Sequence, residues 1–116
     1  MNPDRKQEIG EIAAKILLDT KSVLFNAKEP FVLTSGKVSP VYIDCRRLIA
    51  FVEERTTLMD MAVEILHGEI PGEVDYAAGG ETAGIPYAAF IAERMQKPML
   101  YIRKKPKGFG RMAQIE

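Results

Sequence analysis

The sequence predicts an α/β fold in which helices flank a parallel sheet, preceded by an N-terminal helix and a β-hairpin. Two observations support this fold class. Apolar residues recur at helical spacing in several separate segments, which indicates amphipathic helices. Toward the end of the chain, a strand, a loop, a helix and a second strand follow one another within about thirty residues. That order is typical of a βαβ unit, so we expect a right-handed crossover and two parallel strands.

The composition is that of one domain of ordinary size. The chain has 116 residues, of which 47% are hydrophobic and 28% are charged, and its 16 basic and 16 acidic side chains cancel. The zero net charge gives no global attraction to nucleic acid or membranes. Cys45 is the only cysteine and cannot form an internal disulfide, which fits a reducing compartment. With no signal peptide and no apolar run of spanning length, we expect a cytoplasmic protein.

The first part of the chain is predicted to form a helix and a hairpin. Asn2 and Pro3 are typical of a helix start, and apolar residues keep helical spacing to about Asp19. After a short extended piece, the β-favouring segments 31–33 and 41–44 flank a turn that contains glycine. This arrangement predicts that the two segments pair as a hairpin.

A second helix is predicted to begin at a cap provided by Thr56 or Thr57. His67 then lies in its last turn and Gly68 just beyond it, where a cation and a C-terminal glycine are both favourable. We interpret His67 in this way rather than as a catalytic base.

The βαβ unit is predicted to start with a strand at 74–78 and a loop at 79–84. A third helix follows and ends at Lys97-Pro98, and the apolar run 99–102 forms the next strand. We therefore expect one partial domain over 1–116. Its parts are a helix and hairpin at 1–47, a helix and βαβ core at 56–103, and a flexible basic loop at 103–116.

The basic loop concentrates positive charge directly after a strand. Five cations fall within the nine residues 103–111, where Pro106 and two glycines disfavour regular structure. A mobile cationic loop in this position suggests a site for an anion that is covered and then released. The alternative is a solvated basic tail.

The loops 79–84 and 103–111 are predicted to meet. Each leaves the carboxyl end of a strand in the same parallel unit, and ligands of such sheets bind at that edge. The first loop places glycine backbone at a helix N-terminus, which attracts anions, so we expect phosphate or pyrophosphate as ligand. The alternative is a tight strand-to-helix turn, because the loop matches neither common nucleotide-binding glycine motif. Glu81 argues against a bare phosphate site unless a metal or hydroxyl group meets it.

Four segments together resemble the orotate phosphoribosyltransferases, a type I phosphoribosyltransferase family. They are Phe31–Gly36, Ser39–Asp44, Ala78–Pro86 and Tyr101–Gly110, in that order over nearly the whole chain. The resemblance implies a type I phosphoribosyltransferase-like fold. It also implies the transfer of a phosphoribosyl group from phosphoribosyl pyrophosphate to orotate, giving orotidine 5'-monophosphate and pyrophosphate, with Mg²⁺ bound through the pyrophosphate. The family is expected to form a homodimer in which the basic loop reaches the neighbouring site.

The same resemblance implies the roles of particular residues. Lys107 is assigned the main catalytic role at the leaving group, and Arg103 and Lys104 are assigned to pyrophosphate binding. The backbone of a Tyr-Ile pair meets the orotate ring, a Thr-Ala pair lies near the pyrophosphate, and a Ser-Gly-Lys turn closes over the substrates. In this chain those substrate-binding residues are Tyr42, Ile43, Thr82, Ala83, Ser35, Gly36 and Lys37. No side chain is assigned as a metal ligand.

The chain departs from the family pattern in three places. Thr34 stands where many members have lysine, so a substrate contact is lost or moved to Lys37, and Phe109 stands where many have a histidine that could donate a proton. The phosphoribose-binding motif, with its Glu-Asp pair, does not occur in residues 1–116. We therefore expect this to be the N-terminal part of such an enzyme, inactive alone, with an open apolar sheet edge.

Two alternatives use the same residues differently. A non-catalytic fragment would keep the fold and bind the anion without turnover. A nucleic-acid-binding module would use the basic loop, but the zero net charge and the single aromatic residue in that loop, Phe109, disfavour it.

Overall fold

The computed structural model describes residues Met1–Glu116, which divide into two compact units. One unit comprises Asn2–Thr56, and the other comprises Met1 with Thr57–Glu116. In chain order, the elements are α1 (Pro3–Asp19), β1 (Val23–Phe25), β2 (Phe31–Val32), β3 (Val38–Ser39), β4 (Val41–Ile43), a 3-10 helix (Cys45–Ala50), α2 (Val52–Glu69), β5 (Ala77–Gly80), α3 (Gly84–Met95) and β6 (Met99–Ile102). None of the helices is both long enough and apolar enough to cross a membrane.

Helix α1 has the bounds that its sequence predicts. The side chain of Asn2 accepts a hydrogen bond of 2.7 Å from the amide of Asp4, and Pro3 occupies the first helical position. At the other end, the amide of Thr20 donates to the carbonyl of Ile16 at 3.0 Å. The helix is thus set by local signals at both ends, which is why the sequence was sufficient to place it.

The predicted hairpin between 31–33 and 41–44 is wrong in its pairing. Strand β2 pairs with β3, and β4 pairs with β1, both antiparallel. The chain reverses sooner than expected, because Gly36 has a φ of +87° and the amide of Leu33 donates to the carbonyl of Lys37 at 2.8 Å. The hydroxyl of Ser39 then bonds both the amide and the carbonyl of Val41, which separates β3 from β4.

Helix α2 begins one turn before the predicted cap. It starts at Val52, and the hydroxyl of Thr56 donates to the carbonyl of Val52 at 2.7 Å, so Thr56 lies inside the helix rather than at its start. Glu53 and Glu54 occupy the first turn, where negative charge is favourable. The helix also continues to Glu69, past the glycine that was predicted to end it.

The βαβ unit is present, and its two strands are parallel as predicted. Strands β5 and β6 pair in register from Ala77 with Met99 to Gly80 with Ile102. Strand β5 begins at Ala77 rather than at residue 74. Its first hydrogen bond to the neighbouring segment runs from the amide of Ala77 to the carbonyl of Pro98, and Pro98 has no amide with which to continue the pairing.

Gly79 lies in strand β5 rather than in a loop, and it packs beneath the first turn of α3. A Cβ atom at this position would clash with the carbonyl of Gly84 and would lie 2.8 Å from the Cβ of Ala88. Ala88 and Ala92 are buried. Small residues on both elements therefore allow the strand and the helix to approach closely.

An open apolar groove of about 710 Å³ lies within the Thr57–Glu116 unit. It is lined by residues of α2, of β5 and the segment before it, and of α3, among them Ile65, Tyr76, Ala78 and Tyr87. Tyr76 is 57% exposed. Parallel sheets are normally covered on both faces, so this groove is an apolar surface that the 116 residues leave exposed.

Candidate anion-binding site

The two loops that leave the carboxyl ends of β5 and β6 meet, as the topology predicts. The amide of Glu81 donates to the carbonyl of Ile102 at 2.8 Å, and the Oε2 atom of Glu81 accepts a hydrogen bond of 2.7 Å from the amide of Lys104. The carboxylate of Glu81 thus already has a backbone donor. It ties the start of the basic loop to the end of strand β5.

A cleft of about 290 Å³ lies between Glu81 and the basic loop. Its other lining residues are Arg103, Lys104, Lys105, Pro106, Lys107 and Gly108. The three cations that the resemblance assigns to the leaving group therefore share one cleft. Thr82 and Ala83 follow Glu81 directly in the turn before α3, but they do not line the cleft.

The segment after the basic loop folds back along strand β6. Ile115 forms an antiparallel bridge with Ile102, and the amide of Arg103 donates to the carbonyl of Gln114 at 2.7 Å. The amide of Lys107 donates to the carbonyl of Ala113 at 3.0 Å. The basic loop is thus closed at its base by backbone hydrogen bonds to the returning chain.

This return brings the side chain of Glu116 among the loop cations. Its Oε2 atom accepts a hydrogen bond of 2.8 Å from the hydroxyl of Tyr101 and one of 3.3 Å from Nη1 of Arg103. Its Oε1 atom lies 3.9 Å from Nζ of Lys107, and only 17% of the side chain is exposed. The hydrogen bond from Tyr101, followed by the nearby charges of Lys107 and Arg103, lowers the pKa of Glu116.

Sequence reasoning missed Glu116 as a residue of the site. The available signal was the alternation of apolar and polar residues at 113–116, which is typical of a short extended segment. An extended segment after a loop returns beside the preceding strand when the two pair antiparallel. Every second side chain of it, including Glu116, then lies near the base of the loop.

The side chains of Phe109 and Arg103 have surroundings that the sequence did not predict. The Nζ atom of Lys107 lies 5.0 Å from the ring centroid of Phe109, a cation–π distance, while the ring itself is 73% exposed. The Nε atom of Arg103 is buried and has no hydrogen-bond acceptor. One N–H donor of the Arg103 guanidinium thus has no acceptor within the chain.

The contact between Tyr101 and Glu116 is expected to appear in the titration of Tyr101. Because ionised tyrosine cannot donate a hydrogen bond, the bond to Glu116 raises the pKa of Tyr101. The stability from this bond is full below the ordinary tyrosine pKa of about 10 and is lost as the pH rises through the raised value. For Glu116, whose pKa is lowered, stability is present above the ordinary carboxyl range and is lost as the pH falls through the lowered value.

We expect Glu116→Gln to lower the pKa of Tyr101 toward its ordinary value. An NMR titration of chains labelled with ¹³C at the tyrosine Cζ would measure this, with Tyr101→Phe assigning the resonance. An unchanged Tyr101 pKa in Glu116→Gln would mean that the two side chains are not in contact in solution.

The chain is similar to known proteins over nearly all of its length. No protein-family model matches it. It is 55% identical over 115 residues to an orotate phosphoribosyltransferase of Roseobacter denitrificans, which covers 98% of this chain and 51% of that protein. It is 54% identical over 115 residues to that of Dinoroseobacter shibae, covering 98% of this chain and 50% of the relative. Over nearly its whole length, the chain is thus similar to orotate phosphoribosyltransferases.

Solved structures agree with the sequence relatives. The fold is similar to that of the crystal structure of orotate phosphoribosyltransferase from Aeropyrum pernix, with a TM-score of 0.73 and 37% identity over 89% of this chain and 56% of the other. It is also similar to the UMP synthase of Leishmania donovani, with a TM-score of 0.69 and 33% identity over 91% of this chain and 21% of that one. The fold is thus that of the type I phosphoribosyltransferases, and the chain spans about half the length of the curated relatives it matches.

The remaining residues that likeness to the orotate phosphoribosyltransferases assigns lie in the Asn2–Thr56 unit. Tyr42 and Ile43 are on strand β4, and the ring of Tyr42 lies 5.7 Å from that of Phe31. Ser35, Gly36 and Lys37 form the exposed turn between β2 and β3, next to the exposed Thr34. Their substrate-binding roles stay predictions.

The chain has no metal site of its own that fits the Mg²⁺ expected for orotate phosphoribosyltransferases. No three His, Cys, Asp or Glu side chains are grouped so that they could hold a metal ion. The carboxylate nearest the cations, Glu116, bonds Tyr101 and Arg103, and Glu81 bonds the backbone of Lys104.

Proposed function

We propose that this chain provides the pyrophosphate-binding part of an orotate phosphoribosyltransferase. The enzyme would transfer the phosphoribosyl group of phosphoribosyl pyrophosphate to orotate, giving orotidine 5'-monophosphate and pyrophosphate. The observation that supports this most directly is the cleft at the carboxyl edge of β5 and β6, where Arg103, Lys104 and Lys107 lie together. Relatives of this name match nearly the whole chain.

The reaction requires what a cationic cleft can supply. A bond forms between a ring nitrogen of orotate and the anomeric carbon, and the bond from that carbon to the pyrophosphate oxygen breaks. The electron pair leaves with pyrophosphate, and orotate gives up the proton of its ring nitrogen. Positive groups beside the departing oxygen stabilise the developing charge, and a loop that covers the site excludes water from the reactive ribosyl centre.

Within this proposal, Lys107 acts at the leaving oxygen, and Arg103 and Lys104 bind the pyrophosphate. The N-terminus of α3, which no side chain caps, places the positive end of the helix dipole near Thr82 and Ala83 and so favours an anion there. Magnesium would arrive bound to the pyrophosphate, because the chain groups no side chains that would hold it alone. We also propose a homodimer in which the basic loop serves the neighbouring site, and a cytoplasmic location consistent with the single cysteine.

The test of this function is pyrophosphate binding by the 116-residue chain and its Lys107→Gln variant. We expect Lys107→Gln to weaken binding about tenfold to a hundredfold, because a charge-assisted hydrogen bond contributes about 1.5–3 kcal/mol and each 1.4 kcal/mol is a factor of ten. Isothermal titration calorimetry at constant ionic strength measures the loss.

Arg111→Gln is the matched control for this measurement. Arg111 belongs to the same basic segment but does not line the cleft, so its loss should change pyrophosphate affinity little. Equal weakening by Arg111→Gln and Lys107→Gln would indicate a diffuse attraction to basic residues and would contradict a defined site. Binding that is retained without turnover in any assembly would favour the non-catalytic alternative.

A further inference from the structure

The carboxylate of Glu116 does not line the cleft, but it pairs with two of the cations that do. It contacts Arg103 and lies 3.9 Å from the ammonium of Lys107, which are two of the cations that the proposed function assigns to pyrophosphate. The hydroxyl of Tyr101 fixes it there at 2.8 Å. The backbone of Glu116 is held too, because its amide donates to the carbonyl of Tyr101 at 2.8 Å and its carbonyl accepts from the amide of Tyr101.

We propose that Glu116 is an internal counter-anion of this cleft, which an incoming polyanion must displace from Arg103 and Lys107 before it can bind tightly. This inference rests on the proposed function, because it concerns the same two cations. It assigns to Glu116 a role in setting the affinity of the site rather than in the chemistry.

Charge balance explains why the ligand that displaces Glu116 must be a polyanion. A monoanion that replaces the carboxylate exchanges one ion pair for another of similar strength and gains little. Pyrophosphate carries several negative charges on adjacent oxygens, so it can pair with Arg103, Lys107 and Lys104 together and gain more than the carboxylate gives up.

Glu81 does not play the same part. Its carboxylate accepts a hydrogen bond from the backbone amide of Lys104 and forms no ion pair with a cation of the loop. Its contact therefore holds the base of the loop rather than neutralising a side chain. Displacing it would leave a backbone donor unpaired. The carboxylate that an anion could displace from the cations of the cleft is therefore that of Glu116.

The test compares pyrophosphate binding by the wild-type chain and by Glu116→Gln. Glutamine keeps the size of the side chain and can still accept from Tyr101, but it cannot neutralise the cations. We expect the affinity for pyrophosphate to rise about tenfold, and inorganic phosphate to become a detectable ligand. A purely structural role would weaken binding instead, so the direction of the change decides between the two.

Glu73→Gln is the matched control. It also removes a carboxylate paired with a lysine, Lys97, at 2.7 Å, but it lies outside the cleft and should leave binding unchanged. If Glu116→Gln does not fold, Tyr101→Phe frees the carboxylate without changing its charge and should tighten binding by a smaller factor. Fluorescence of an added dye during thermal unfolding verifies that each variant is folded.

The combination of results distinguishes a failure of the role of Glu116 from a failure of the proposed function. Equal or weaker binding in Glu116→Gln, with clear binding by the wild type, overturns the role of Glu116 and leaves the anion site standing. Binding only by Glu116→Gln supports both. Binding by neither chain overturns both, because no anion site would then exist for Glu116 to occupy.

Discussion

Residues 1–116 alone are expected to convert no measurable orotate, and addition of the remaining half of a relative is expected to restore turnover. The rate with both parts should exceed that of either part by on the order of 10³ or more, since binding the leaving group without the phosphoribose leaves the reacting atoms unaligned. The partner would be the part of the Roseobacter denitrificans enzyme that this chain does not match, expressed separately. Loss of orotate absorbance with phosphoribosyl pyrophosphate and magnesium present measures the rate.

The apolar groove is the physical reason for expecting the two parts to associate. Parallel sheets are normally covered on both faces, but the groove beside the two-stranded sheet of β5 and β6 leaves Tyr76 and other apolar side chains exposed. Further strands and helices of the family fold would bury this surface, which favours association by the hydrophobic effect. The homodimer that we propose would then form between two such assembled enzymes. It would not substitute for the packing of the second half against the groove.

Tyr76→Asp is the variant that tests the groove in this experiment. A carboxylate on the apolar surface should prevent association and abolish the restored turnover, since burying an unpaired charge is costly. Val52→Asp is the control: Val52 is also exposed, at 62%, but it lies in the first turn of α2, where an acidic residue is favourable. Turnover by residues 1–116 without the second half would contradict the proposal that the missing motif is required.

The elements that the sequence placed correctly are those with local causes. Asn2 and Pro3 define the start of α1 by themselves, and the apolar run of β6 lies between Pro98 and the charged Arg103. Strand pairing has no such local cause. The alternation of side chains in β4 is compatible with any neighbour, and the bend made by the hydroxyl of Ser39 decides that the neighbour is β1.

The candidate site also has features that the sequence predicts and features that it does not. The meeting of the two loops follows from parallel topology alone, because both leave the same edge of the sheet. The pairing of Glu116 with Arg103 and Lys107 depends on the path of the returning chain, which no motif encodes. A sequence pattern can thus predict where a ligand site forms. It does not predict which side chains of the chain itself already pair with the cations of that site.

Glycine composition misled the sequence reasoning about residues 79 and 80. Gly79-Gly80 was predicted to form part of an anion-binding loop, because glycines near a helix N-terminus often have that role. In the structure both lie in β5, and the two have different environments: a Cβ at Gly79 would clash with Gly84, whereas a Cβ at Gly80 would meet nothing within 4 Å. Gly79 is therefore required for packing between strand and helix.

Gly79→Ala is expected to destabilise the chain by about 3 kcal/mol or more, which is the upper end of the range for overpacked sites. The added methyl group would clash with the backbone carbonyl of Gly84 and press on the Cβ of Ala88, and neither can move aside without shifting α3 away from β5. The melting temperature should fall by on the order of 10 °C or more, as measured by circular dichroism.

Gly80→Ala separates this steric effect from a general intolerance of alanine in the strand. The two substitutions change adjacent residues of β5 in the same way, but only the one at Gly79 meets other atoms. We therefore expect Gly80→Ala to change the melting temperature by a few degrees at most, since surface substitutions are usually within about 0.5 kcal/mol. If the two variants had the same melting temperature, close packing of β5 against α3 could not be the reason for glycine at residue 79.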